Sequence, residues 1–127
     1  MKWVVVSAAL LGLASVIMGA AGDHMLEGRL TAQATEQISV ALRYHQLYSI
    51  VLLCVGLYGL TQERQKFLMA ICLTFLAGIL IFSFSLYLSV FLSLPILTFG
   101  TPVGGILLMA GWGLTAFYAA RLPKKQQ

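Results

Sequence analysis

Charged side chains are scarce in this chain and are missing from one long stretch of it. Only 9% of the residues are charged, against 60% that are hydrophobic, and the mean hydropathy is +0.92. From Phe67 to Ala120, 54 residues pass without a single Asp, Glu, Lys, Arg or His. A soluble domain needs more polar surface than this composition supplies, so the sequence favours an integral membrane protein.

Proline is also rare, and two of the three prolines mark a break in the uncharged stretch. As one straight helix, this stretch would be about 80 Å long. The hydrocarbon core of a bilayer is only about 30 Å thick. Pro95 lacks a backbone donor, and Gly100-Thr101-Pro102 is typical of a flexible turn followed by a helix-starting proline. The stretch therefore predicts a membrane hairpin that crosses, turns and crosses back.

Several classes of site are excluded by what the chain lacks. Its two cysteines, Cys54 and Cys72, lie inside apolar runs without CxxC or Cys/His spacing, which is typical of small core residues. There is no Ser-His-Asp pattern, no HExxH, no paired carboxylates within a span and no glycine-rich phosphate loop, so we expect no enzyme, no metal and no cofactor. The net charge of +4 comes without a basic face interleaved with aromatics, so we expect no nucleic-acid partner either.

The apolar runs predict an all-α membrane protein with four transmembrane helices in one bundle. A single domain covers residues 1–127, with spans at about 3–22, 44–61, 67–94 and 102–121. The first run also resembles a signal peptide, but it is long enough to span the membrane. Between the first two spans, Ala34, Ile38, Leu42 and His45 recur at helical spacing and predict a short amphipathic helix at the interface.

Basic residues predict the orientation of these spans. Four spans place the N-terminus, the second connection and the C-terminus on one side, with six Lys and Arg residues: Lys2, Arg64, Lys66, Arg121, Lys124 and Lys125. The other side has only Arg29 and Arg43. Because short cytoplasmic loops carry an excess of Lys and Arg, both termini are predicted to be cytoplasmic.

Five short stretches follow distinct motifs along the chain. They are Gly19-Ala20-Ala21-Gly22-Asp23-His24-Met25-Leu26 (G-A-x-G-A-H-x-L), Leu42-Arg43-Tyr44-His45 (L-x-Y-Q), Phe82-Ser83-Phe84-Ser85-Leu86-Tyr87 (F-S-G-S-L-Y), Thr101-Pro102-Val103-Gly104-Gly105 (T-P-x-G-G) and Gly111-Trp112 (G-W). In their order and spacing they resemble the YgdD-like family of small bacterial inner-membrane proteins. The chain departs from the family pattern at Asp23, His45, Tyr48 and Phe84, where the family has alanine, glutamine, histidine and glycine. The resemblance implies an uncleaved first helix and a bacterial inner-membrane location, and it implies no reaction.

Polar residues of all four spans fall at the predicted external side. They are Asp23, His24, Tyr44, His45, Ser83, Ser85, Tyr87 and Thr101. Since polar groups in hydrocarbon are costly unless they are paired, the cluster predicts a shared hydrogen-bonded pocket and a candidate binding site. A structural polar cap is the alternative, because Tyr and His are common at interfaces and helix serines bond to their own turn. Asp23, His24 and His45 could also suit zinc or copper, although nothing in their spacing enforces a metal site.

Small residues form a second pattern that predicts close helix packing. The residues concerned are Gly12, Ser15 and Gly19 on the first helix and Gly104, Gly105 and Gly111 on the fourth. Lipid supplies no hydrophobic drive between helices, so association depends on close backbone approach. Within one bundle, the expected partner of the first-helix residues is the fourth helix. A self-association face is the alternative.

These observations predict a non-catalytic bundle that binds a lipid, a small hydrophobic ligand or a partner membrane protein. Membrane lipids are the expected partners, together with a second copy of the chain or another membrane protein. The alternative is a subunit of an oligomeric permeation pathway for small molecules or ions. Four short helices enclose no aqueous path alone, and no ionisable residue lies in the middle of a span, so permeation would require an oligomer.

Overall fold

Four long helices make up the computed structural model, which describes residues 1–25, 28, 30–62 and 65–122, and of 23–25 and 65 the backbone alone. The helices are α1 (Lys2–Met25), α2 (Ala32–Leu60), α3 (Gln65–Phe91) and α4 (Gly100–Ala120), with a 3₁₀ helix at Pro95–Phe99. All four are long and apolar enough to cross a membrane. The predicted fold class, an all-α membrane protein with four spans, is confirmed.

Helix α2 begins much earlier than the predicted second span. The Thr31 hydroxyl accepts a hydrogen bond from the Ala34 backbone N–H at 3.2 Å, which caps the first turn. From there the helix continues without interruption to Leu60. Among the described residues there is therefore no separate interfacial helix, because the amphipathic segment predicted to form one is the beginning of α2.

The connection between α3 and α4 also differs from the prediction. Helix α3 ends at Phe91, and Ser93 takes a left-handed conformation with φ of 53°. Pro95 then opens the 3₁₀ helix. The residues Gly100-Thr101-Pro102, predicted to be a flexible turn, form the first turn of α4 instead. Proline is tolerated there because the first backbone N–H groups of a helix have no intrahelical acceptor.

The helices pack in chain order, α1 on α2, α2 on α3 and α3 on α4, and α1 makes no comparable contact with α4. The prediction that the small residues of α1 face α4 is therefore wrong. Gly19 lies against α2, where an added Cβ would be 3.5 Å from Leu42 Cδ2. Ser15 is buried, but an added Cβ at Gly12 would have no atom within 4 Å. The close approach predicted at Gly12 does not exist in the described structure.

The closest helix contact joins α3 and α4. An added Cβ at Gly104 would collide with the backbone of Phe82, and one at Gly111 would lie 2.6 Å from Cε1 of the Phe75 ring. At Gly105, the nearest atom of Phe82 would be an ordinary 3.9 Å away. The glycine face of α4 is thus used against α3. Because α3 contacts both α2 and α4, its side chains form the centre of the core, with Phe75 and Ile79 completely buried.

The two ends of the bundle differ in charge. Lys2, Thr61, Lys66 and Arg121 lie at one end, which we call the basic end. At the opposite end lie Thr31 at the start of α2, Phe91 at the end of α3 and Gly100 at the start of α4. The described residues of the predicted external cluster lie in the half of the helices nearer this opposite end; they are Tyr44, His45, Ser83, Ser85, Tyr87 and Thr101.

Candidate functional site

A buried histidine lies between α2 and α3. The face of α2 that carries Ala41, His45, Tyr48 and Leu52 points inward, since these residues recur every three or four positions and are all buried. His45 has no exposed surface at all (0%). Its Nδ1 is 3.4 Å from the Tyr87 hydroxyl of α3, a distance at the long limit of a hydrogen bond. The sequence placed this imidazole at the membrane edge, and the structure buries it between helices.

Two buried polar atoms in this region have no hydrogen-bond partner among the described residues. They are Nε2 of His45, a ring that also lies near the Leu11 backbone of α1, and the hydroxyl oxygen of Ser83. Ser83 is one helical turn before Tyr87 on the same face of α3, and Tyr87 contacts the His45 ring. Both atoms therefore belong to the same part of the α2–α3 interface. Each buried polar group without a hydrogen-bond partner lowers the stability of the folded protein by about 1–3 kcal/mol. Two such groups therefore make this interface costly.

A second polar pair lies on the other side of α3. Ser85 is two residues after Ser83, which turns its side chain about 200° away on an α-helix. Its hydroxyl donates to the Phe82 carbonyl at 2.9 Å and is also 2.9 Å from the Thr101 hydroxyl of α4. Since Ser85 has only one hydroxyl hydrogen, Thr101 is the donor in the second bond. This pair links α3 to α4 and is fully satisfied within the protein.

The described residues of the predicted cluster therefore do not share one pocket. His45, Ser83 and Tyr87 lie between α2 and α3, whereas Ser85 and Thr101 lie between α3 and α4. Tyr44 belongs to neither group, because its ring packs on Phe82 with a centroid distance of 4.4 Å. The side chains of Asp23 and His24 lie outside the described residues. No group of three or more His, Cys, Asp or Glu side chains in the described part of the chain could hold a metal ion.

An interhelical hydrogen bond that the sequence did not predict connects α2 to α4. The Trp112 indole N–H donates to the Tyr48 hydroxyl at 2.9 Å. Both rings also pack on Phe75 of α3, with centroid distances of 5.5 Å from Tyr48 and 5.6 Å from Trp112. Tyr48 is buried, and a buried Tyr usually finds a partner for its hydroxyl, so the position of Tyr48 within an apolar span was the available signal. The sequence did not indicate that they would meet.

An apolar groove lies between the Tyr48–Trp112 hydrogen bond and the basic end of the bundle. It has a volume of about 290 Å³ and lies between α2 and α4, with α3 as its floor. Its lining consists of Cys54, Val55, Tyr58, Leu68, Ile71, Thr115, Tyr118, Ala119 and Leu122. The Thr115 hydroxyl donates to the Gly111 carbonyl at 2.8 Å, so this donor is already used inside α4. The groove thus offers mainly hydrocarbon and aromatic surface.

Comparison with known proteins agrees with this architecture. Residues 18–105 match the family model described as "Protein of unknown function (DUF423)". The chain belongs to the DUF423 family. The resemblance to the YgdD-like proteins is thereby confirmed, and the matched region contains His45, Ser83 and Tyr87.

Relatives of the DUF423 family align along most of the chain. The UPF0382 inner membrane protein YgdD of Escherichia coli K12 is 34% identical over 125 residues, which are 98% of this chain and 94% of the relative. A UPF0382 membrane protein of Haemophilus influenzae is 36% identical over 104 residues, 82% of each chain. The UPF0382 membrane protein SH2409 of Staphylococcus haemolyticus is 35% identical over 113 residues, 88% of this chain and 90% of the relative. No solved structure matches.

The family assignment establishes a small integral membrane protein and assigns no catalytic activity. Any more specific function has to be argued from the surfaces and buried groups of this chain.

Proposed function

We propose that the protein is a non-catalytic helical bundle that holds an acyl chain of a membrane lipid in the groove between α2, α3 and α4. The observation that carries this proposal is the groove itself. Its walls are apolar, its volume of about 290 Å³ is near the lower limit of small-molecule sites, and its mouth is at the basic end. A slender, flexible hydrocarbon chain suits such a space better than a rigid ligand does.

The depth of the groove is limited by the aromatic contacts between α2 and α4. Tyr48 and Trp112 are bonded across the two helices on the side away from the basic end. On the lateral walls, the rings of Tyr58 and Tyr118 lie 6.4 Å apart and nearly perpendicular. These contacts join α2 to α4 and fix the distance between the two helices along the groove. The space is then filled from the surrounding bilayer, because an empty groove would forfeit dispersion contacts along its lining.

Positive charge at the basic end of the bundle favours a lipid with an anionic headgroup. The Arg121 guanidinium lies 4.2 Å from the centroid of the Phe117 ring, which fixes it at the end of α4. Lys66 is exposed in the first turn of α3, and the sequence continues with Lys124 and Lys125. Each basic residue near an anionic membrane surface adds about 1 kcal/mol of attraction. The groove suits the acyl chain of such a lipid, and the basic end of the bundle suits its headgroup.

The proposal predicts that filling the groove removes bound lipid. Ala119→Phe places a ring in the groove, and we expect at least about a tenfold loss of copurified lipid, since several buried CH₂ groups lose about 0.8 kcal/mol each. Lipid that copurifies in mild detergent is measured by native mass spectrometry. Ala116→Phe is the matched control, because Ala116 is also exposed on α4 but does not line the groove.

Equal lipid occupancy in Ala119→Phe, Ala116→Phe and the unchanged protein would contradict the proposal. The same spectra report the oligomeric state. A monomer or dimer with bound lipid supports the binding function. A larger ring that carries no lipid and conducts ions or small molecules in liposomes would favour the permeation alternative.

The orientation is a separate part of the proposal. Both termini and the basic end are taken to be cytoplasmic, on the basis of six Lys and Arg residues on that side against two on the other. A reporter that is active only in the cytoplasm should be active when it is fused after Gln127. The same reporter should be inactive when it is inserted at residues 27–40. A periplasmic C-terminus, or a mature protein that starts near Gly22, would contradict this orientation.

A further inference from the structure

A second cleft lies at the opposite end of the bundle, between the beginning of α2 and the end of α3. Its volume is about 340 Å³. Helix α2 contributes Gln33 and Gln37 together with the capping residue Thr31, and the other wall includes Ser89, Ser93 and Pro95. This cleft and the apolar groove are at opposite ends of α2, so an inference about one does not depend on the other.

The polar groups in the cleft are uncharged and largely available. Gln33 and Gln37 are one helical turn apart and share a face of α2. Neither amide forms a hydrogen bond to another residue in the part of the chain that the structure describes. Ser89 is buried and donates to the Leu86 carbonyl at 2.8 Å, which leaves its oxygen able to accept. The described lining of the cleft therefore offers both donors and acceptors and carries no formal charge.

This chemistry favours one class of ligand. An isolated anion or cation would find no opposite charge among the described lining residues, and a purely apolar ligand would leave the two amides unpaired. Vicinal hydroxyl groups both donate and accept, as the two amides do. The cleft is formed where α2 begins and α3 ends, so a bilayer that these helices span would have its headgroups near the cleft.

We propose that this cleft binds a polyol, either the glycerol headgroup of a phospholipid or a free sugar. The side chains of Gln33 and Gln37 form hydrogen bonds with adjacent hydroxyl groups on one side of the ligand. The oxygen of Ser89 accepts a hydrogen bond from a hydroxyl group on the other side. Ser93 contributes from the turn after α3, where its left-handed backbone (φ of 53°) directs the chain toward the 3₁₀ helix.

The test compares phosphatidylglycerol with phosphatidic acid of the same acyl chains, in a detergent without a sugar headgroup. Both lipids are anionic, but only the first carries a terminal glycerol. Native mass spectrometry counts lipid adducts and, in a parallel titration, glucose adducts. We expect about a tenfold preference for phosphatidylglycerol, because its terminal glycerol can form two neutral hydrogen bonds that phosphatidic acid cannot form. Gln33→Leu/Gln37→Leu should abolish the preference, and Gln46→Leu, an exposed position of α2 outside the cleft, should keep it.

Each outcome has a definite meaning. A preference for phosphatidylglycerol that glucose does not displace assigns the cleft to a lipid headgroup. Glucose adducts that the double variant loses assign it to free sugars. The proposal is overturned if the unchanged protein shows neither the lipid preference nor glucose adducts, or if the double variant keeps them. Ala119→Phe removes lipid from the apolar groove and so lowers the total number of lipid adducts, but it should leave unchanged the glucose adducts and the phosphatidylglycerol preference of the remaining lipid. That difference separates this site from the apolar groove, and melting curves verify that every variant is folded.

Discussion

Replacing Gly104 by alanine is expected to destabilise the protein by about 3 kcal/mol or more, at or above the upper end of typical overpacking costs. The added Cβ would meet the backbone N–H of Phe82 and would lie 2.7 Å from its Cα and Cβ. Backbone atoms of a packed helix cannot rotate away as the end of a side chain can, so α3 and α4 must separate. Because α3 is the centre of the core, the separation also loosens the packing around Phe75. Thermal and denaturant unfolding in detergent would measure the loss.

The matched control is Gly12→Ala on α1. No atom lies within 4 Å of an added Cβ at Gly12, so the substitution creates no collision. Alanine restricts the unfolded chain and favours the helix, and we expect a gain of about 0.4–1 kcal/mol. The two changes add the same methyl group to two glycines and should have opposite signs. Similar losses at both positions would mean that α1 packs through Gly12 after all.

Hydropathy is a strong signal, and for that reason the number of helices could be predicted from the sequence. The partners of those helices could not, because a small residue permits close approach without specifying which helix approaches. Gly12 and Gly104 look alike in the sequence, yet one is open and the other touches the backbone of Phe82. The start of α2 was missed for a related reason. Residues 32–43 are polar enough to suggest a separate element, but the Thr31 cap and continuous helical spacing join them to the following span.

The sequence indicated how far along each helix the polar residues lie, but not which neighbouring helix each side chain faces. Sequence position indicates how far along a span a residue lies, and the polar residues do gather toward one end of the bundle. Direction depends on helix rotation, which changes by about 100° for each residue. Ser83 and Ser85 are therefore indistinguishable as sequence signals, although one faces α2 and the other faces α4. An error of a single residue in the rotation would exchange their environments.

These two serines provide the second large test. Ser83→Ala should raise the free energy of unfolding by about 1–2 kcal/mol, because it removes a buried hydroxyl that has no partner among the described residues. Ser85→Ala should lower it by about 0.5–1 kcal/mol, because it removes an interhelical bond to Thr101. The substitutions are identical, the helix is the same, and the expected effects differ in sign. Unfolding in the same detergent gives both values.

The sign at Ser83 also separates the two interpretations of the polar residues near His45. A gain in stability means that the hydroxyl is an uncompensated polar group within a structural polar cap. A loss comparable to that of Ser85→Ala would mean that the hydroxyl has a partner, such as a bound water molecule or polar ligand between α2 and α3. The same partner would then satisfy His45 Nε2, so His45→Leu in the Ser83→Ala background should cost less than His45→Leu alone. Additive effects of the two substitutions would instead indicate that the two atoms act independently and that no shared ligand joins them.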